Sequence, residues 1–243
     1  MAGEFTKFPT VSAFMAQTMS ELGLTIPASY VGNTDVTVIQ LLAFLNACGQ
    51  DLCTMNDWQM LHKEWTQVLA PGTLTYALPT DWNGFISGAG WDNTSTFPLI
   101  GPLTPQIWRM IKARVATAQI SIQYRIVGNQ MVLMVSPAAD TVVFDYYGRG
   151  WILNATAGGT YRDNVAADAD QILFDGSLLK PMVKYRWRNA KGFDTSAEAD
   201  EFQAAWDLVV GRDVPAPTLS IGPRATYPFL AYGNIPDTGY GHP

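Results

Sequence analysis

The sequence predicts an α+β fold on three observations. Apolar residues recur at helical spacing near both ends of the chain, they alternate through the middle, and the last thirty or so residues are crowded with proline, glycine and aromatics. The expected organisation is a discontinuous helical bundle from residues 1–64 and 165–211, a β-rich insert over 65–164, and an extended C-terminal arm over 212–243. A chain of 243 residues has the length for a sizeable core. Only 15% of it is charged, against 48% hydrophobic, which excludes wholesale disorder.

The first helix is expected from about Val11 to Leu22. Val11, Phe14, Met15, Met19 and Leu22 share a face, Thr10 suits the N-cap and Gly23 the stop. Asp35 or Thr34 then caps a longer helix whose apolar positions include Val38, Leu41, Leu42, Leu45, Cys48 and Leu52. The run DWQMLHKE at 57–64 reads as a short helical turn.

From Trp65 the period changes. WTQVLA and TLTYALP, split by Pro71-Gly72, read as a β-hairpin. TPQIWRMIKAR at 104–114 reads as a short helix with Thr104 at the N-cap and Pro105 at its first position. ISIQYRI and QMVLMVS flank the turn pair Gly128-Asn129, and TVVFDYYGR at 141–149 adds a strand. Helices resume with one beginning at Asp175 or Ser177 and running to about Ala190, with Pro181 as a kink or true start. In the last helix Thr195 and Glu198 have capping-box spacing, Phe202, Ala205, Trp206 and Val209 form the apolar stripe, and Gly211 ends it.

Proline in the tail, at Pro215, Pro217, Pro223, Pro228 and Pro236, rules out persistent helix or strand. Yet Ile221, Tyr227, Phe229, Leu230, Tyr232, Ile235 and Tyr240 are apolar anchors on an extended backbone, whereas a solvated linker is poor in such residues. The tail therefore reads as an arm that lies along another surface, preordered by proline.

Chemistry is sparse. The net charge of −6 argues against a protein that grips nucleic acid by neutralising phosphates. Two histidines, His62 and His242, leave little for a His-based zinc site or a Ser–His–Asp triad. Cys48 and Cys53 share one helical segment and read as reduced, buried thiols. No run of about eighteen consecutive apolar residues suggests a membrane span, and the N-terminus lacks the pattern of a signal peptide. No cofactor is expected.

Lys180, Lys184, Arg188 and Lys191 line one helix face, as candidates for contacts between copies or for lining a channel. Asp194, Glu198, Glu201 and Asp207 on or before the next helix are the acids expected to neutralise them. The pairs Asp168/Asp170 and Asp81/Asp92 have the chemistry of a glycosidase acid and base, but the same pattern is routine for loop and cap acids. Gly84, Gly88 and Gly90 form no phosphate cradle, since no Lys-Ser/Thr pair follows them.

Several runs taken in order carry a resemblance. DVTVIQLLAFLNACGQDLCTMNDWQMLHKEW (35–65), LPTDWNGFISGAGWDN (78–93), PLIGPLTPQIW (98–108), ADADQILFD (167–175) and KYRWRNAKGFD (184–194) resemble the head-to-tail adaptors of short-tailed bacteriophages, the tail tubular protein A-like or tail accessory factor proteins. The resemblance covers about residues 35–211. It implies a structural virion protein at the neck, made in the host cytoplasm, with copies closing into a ring of about twelve under the portal protein. That ring would extend the DNA channel without sequence-specific binding and carry the downstream tail or nozzle protein. The arm, through Ile221, Tyr227, Phe229, Leu230, Tyr232 and Ile235, is then the expected portal-binding element. The alternatives are a tail-associated peptidoglycan hydrolase, an activity known in the family, or a glycan-binding module using Trp82, Trp91 or Trp151.

Overall fold

Five helices and a set of short antiparallel strands make up the α+β architecture, seen in a computed structural model that describes residues 8–113, 121–135, 139–156 and 159–213. The helices are α1 (Val11–Glu21), α2 (Val36–Met55), α3 (Pro105–Ala113), α4 (Gly176–Lys191) and α5 (Ser196–Asp213).

Each helix start is fixed by a short polar side chain. Thr10 Oγ1 accepts from the Ala13 amide at 3.2 Å, Asp35 from Thr37 at 2.8 Å and Asp175 from Ser177 at 2.9 Å. The first amides of α1 also need acceptors. Val11 and Ser12 donate to the carbonyls of Asp170 and Asp168, so the 168–170 loop holds the start of the chain's first helix. The C-terminus of α4 closes on Gly192 in the left-handed region, at φ 75°. α4 runs through Pro181, whose ring is buried.

The capping box expected at Thr195 and Glu198 is not what starts α5. Asp194 accepts from the Ser196 amide and hydroxyl, while the Glu198 carboxylate is buried against Arg188 at 3.0 Å. A strong cation on the neighbouring helix outcompetes a backbone amide for that carboxylate.

Faces of α1, α2 and α4 converge on one apolar cluster. It also takes in Trp58, Trp151, Ile152, Ile172 and Phe174 from the connecting segments, and α5 leans on it through Phe202, Ala205, Trp206, Val209 and Val210. α2 is long and apolar enough to cross a bilayer. Its Val38, Leu41, Leu45, Cys48 and Leu52 are instead packed in this core. Asn46 and Gln50 make polar contacts to residues 164–165.

The strands are β1 (His62–Val68), β2 (Thr75–Ala77), β3 (Trp82–Phe85), β4 (Trp91–Asp92), β5 (Phe97–Pro98), β6 (Tyr124–Val127), β7 (Gln130–Leu133), β8 (Thr141–Gly148), β9 (Ile152–Leu153), β10 (Tyr161–Arg162) and β11 (Gln171–Ile172). β1, β8, β4 and β5 form one sheet in that order, with β3 also pairing β8. β2-β7-β6 and β10-β9-β11 form two smaller sheets. β8 alternates cleanly, burying Val142, Phe144 and Tyr146, the first two in a second apolar cluster with Leu69, Tyr76, Leu78, Leu99, Tyr124, Met131 and Leu133.

The expected hairpin across Pro71-Gly72 does not form. β1 pairs along its whole length with β8, from His62 opposite Tyr147 to Val68 opposite Thr141, and β2 pairs with β7 in another sheet. Pro71-Gly72 still makes a turn, with Gly72 at φ 84° and the Tyr76 hydroxyl accepting from the Ala70 amide at 2.8 Å. Trp65 of β1 stacks on Phe144 of β8 and on Phe85 of β3, aromatic contacts that favour the pairing of β1 with β8. The helical turn expected over 57–64 is a single 3-10 turn at Gln59–Leu61, and the chain is already strand at His62. The hairpin at Gly128-Asn129 forms as expected, joining β6 to β7.

Candidate functional site

The basic face of α4 is the most strongly charged feature expected from the sequence, and its geometry decides what it can do. Lys180 and Lys184 each donate to the Glu21 carboxylate at 3.1 Å, and Lys184 also reaches Glu201 at 3.3 Å. Arg188 meets Glu198, and the Lys191 ammonium lies 5.7 Å from the centre of the Trp187 ring. Three of the four cations are therefore satisfied within the chain. The paired ammonium groups hold the Glu21 carboxyl below its usual range against the opposing effect of partial burial. A face compensated in this way carries little net field toward phosphate.

Glu21 was not among the acids expected to neutralise this stripe. A signal for it exists in the sequence. A carboxylate in the last turn of α1 opposes the helix dipole and is favoured there only with a cation nearby. Arg186 on the same helix pairs with Asp51 of α2, a second cross-helix link that spacing alone does not reveal.

The two carboxylate pairs are engaged as acceptors. Asp168 takes the Ser29 hydroxyl at 2.8 Å and the Tyr30 and Val31 amides at 2.9 and 2.8 Å. Asp170, fully buried, accepts from the amides of Ala155, Ala166 and Ala167, with Arg162 at 3.6 Å. Asp92 accepts from Thr94 and Ser95 amides, and Asp81 from Lys63 and the Tyr146 hydroxyl. Partial burial pushes the Asp81 carboxyl up, but those two donors outweigh it and hold it below the usual range. A general acid for glycoside cleavage needs the opposite shift.

The tryptophans proposed for stacking on sugars differ in access. Trp151 is fully buried, its Nε1 donating to the Asp163 carbonyl at 2.9 Å. Trp82 and Trp91 are half-buried, and Trp82 packs edge-on against Phe85. A cleft of about 430 Å³ is lined by Thr80, Asp81, Arg149, Tyr161, Arg162 and Asp163. Its walls mix both charge signs, which gives no single class of ligand an advantage. Cys48 and Cys53 are buried free thiols, with burial pushing both up to about 12.

Surface apolar groups are more informative. Val36 and Ile39 on α2, Val68 on β1, and Ile107 and Met110 on α3 are all at least 41% exposed. These large apolar side chains meet water on three separate elements. The arm residues Ile221, Tyr227, Phe229, Leu230, Tyr232 and Ile235 lie outside the described residues. The arm's point of departure is described: Asp213, ending α5, accepts from the Gln59 amide at 3.1 Å.

A model of the family described as SU10 adaptor protein matches residues 10–221. No curated protein matches the chain.

Proposed function

The chain belongs to the SU10 adaptor protein family, a family of structural phage adaptors, and on that premise we propose that copies of it close into a ring beneath the portal. In this reading the ring extends the DNA channel, retains the genome until ejection and seats the next tail component. The observation that carries the proposal is the family match across residues 10–221, which takes in every described helix and strand.

Physical features support the reading. A ring needs heterologous contacts that close by rotation, and exposed Val36, Ile39, Val68, Ile107 and Met110 offer apolar surface for them. An acidic chain whose main basic face is internally paired lets phosphates pass without adhering. The work is mechanical and electrostatic and requires no catalysis. The arm, anchored at Asp213 and carrying Tyr227, Phe229, Tyr232 and Ile235, is proposed to fill grooves of the portal.

Native mass spectrometry of the chain alone and with its portal, with and without residues 213–243, tests this. The expected result is a portal-bound ring that is lost on deletion of the arm. A ring that survives the deletion keeps the adaptor and removes the arm's role. Failure of the full chain to associate with the portal overturns the proposal.

A further inference from the structure

We propose that the outer face of α3 docks on the outer face of α5 of a second copy, so that these two helices form the side-to-side contact between neighbours. The inference rests on the ring reading above and names its interface.

α3 is strongly two-sided. Trp108 is its one fully buried side chain, packed with the Arg125 guanidinium 4.5 Å from the centre of its ring. The opposite face presents Met110 and Ile107, with Arg109 on the flank and Lys112 one turn beyond Trp108 at the edge of the buried side, all exposed. α3 holds no acid, and neither Arg109 nor Lys112 has an ion-pair partner among the described residues.

α5 is the complement. The carboxylates of the other helices are matched, Glu21 by Lys180 and Lys184 and Asp51 by Arg186. On α5, Glu198 and Glu201 are matched by Arg188 and Lys184. Asp200 and Asp207 have no ion-pair partner among the described residues, and they share the solvent side with Leu208, which is 52% exposed and has exposed Arg212 one turn on. Phe202, Ala205, Trp206 and Val209 point the other way, into the chain's own core.

α3 thus carries two cations, and α5 two carboxylates, that are unmatched among the described residues, with exposed Met110 on the first helix and exposed Leu208 on the second. Asp200 and Asp207 lie about 10 Å apart along α5, a span that the long side chains of Arg109 and Lys112 can bridge by leaning outward from α3. A patch on one copy meeting a different patch on the next is the heterologous geometry that generates rings. Exposed ion pairs are individually weak, so the contact holds only where many copies are brought together.

The test compares full-length wild type with two variants, Arg109→Asp/Lys112→Asp and Asp200→Lys/Asp207→Lys, each mixed with the portal and weighed by native mass spectrometry. Circular dichroism first establishes that the variants, altered only at exposed positions, keep wild-type spectra. Each variant alone is expected to need about tenfold more protein to form the ring. A one-to-one mixture of the two is expected to assemble at wild-type concentration, because every contact then pairs opposite charges. Wild-type assembly by either variant alone, or no rescue in the mixture, overturns this interface while leaving the adaptor reading intact. If wild type itself forms no ring, both fall.

Discussion

The indole of Trp58 meets that of Trp206 edge-on, with ring centroids 5.7 Å apart and planes at 85°. Trp58 belongs to the turn that leaves α2, and Trp206 to the chain's last described helix. The same Trp58 ring packs on Phe174 at 5.6 Å, and its Nε1 donates to the Leu52 carbonyl at 2.6 Å. One fully buried side chain therefore joins the end of α2, the entry to α4 and the middle of α5. Trp58→Ala is expected to cost about 3–5 kcal/mol, with Trp58→Phe costing less because it keeps part of the ring contact. Urea unfolding followed by near-ultraviolet circular dichroism measures both. An alanine variant as stable as wild type rules out this role.

Gly49 shows the same economy at closer range. A Cβ there would overlap the indole of Trp151, whose ring is fully buried and stacked on Phe174. Alanine favours helix over glycine by about 1 kcal/mol, yet displacing a packed indole costs about 1–3 kcal/mol, so Gly49→Ala is expected to lower the melting temperature. Gly211→Ala makes the contrast, since its Cβ meets nothing within 4 Å among the described residues. That substitution is expected to stabilise by about 0.5–1 kcal/mol. Equal shifts from the two in thermal melts contradict the packing argument.

Local chemistry was legible in the sequence and distant partners were not. Thr10, Asp35 and Asp175 mark helix starts because capping acts over three or four residues. The alternation around Trp65 gives a strand and its faces, but period alone does not say that β8 lies beside it. Glu198 shows the converse, where a local motif was present and a cross-helix arginine claimed its carboxylate. For the candidate site, the basic face of α4 was legible as a stripe. That Glu21 would compensate it depends on how α1 packs against α4, which spacing does not encode. The residues expected to anchor an arm lie outside the described residues.

The Arg188–Glu198 pair predicts an asymmetry between single and double substitution. The Glu198 side chain is 6% exposed and its Oε2 has no hydrogen-bond partner among the described residues, so Arg188 carries most of its compensation. Arg188→Ala strands a buried carboxylate, and is expected to destabilise by about 1–3 kcal/mol. Adding Glu198→Leu removes the stranded charge and is expected to recover most of that loss. Chemical denaturation of the two variants decides, and a double variant no better than the single would show that the pair is not electrostatically coupled.

Asp168 gives a pH dependence with a definite sign. Partial burial pushes its carboxyl up, but donations from the Val31 and Tyr30 amides and the Ser29 hydroxyl outweigh it and hold the group below the usual range. Its contribution is therefore complete above the unfolded value of about 4 and lost as pH falls through the lower, folded value. Asp168→Asn removes an anionic acceptor that ties the connector before α2 to the loop beneath α1. The variant is expected to be less stable by about 1 kcal/mol at pH 7, with the gap closing toward pH 2–3 as the wild-type carboxyl is protonated. Other carboxyls held low, Glu21 and Asp81 among them, titrate in both proteins and cancel in the difference. A gap that stays constant from pH 7 to pH 2.5 in paired urea titrations would mean that the charge of Asp168 contributes nothing and only its shape matters.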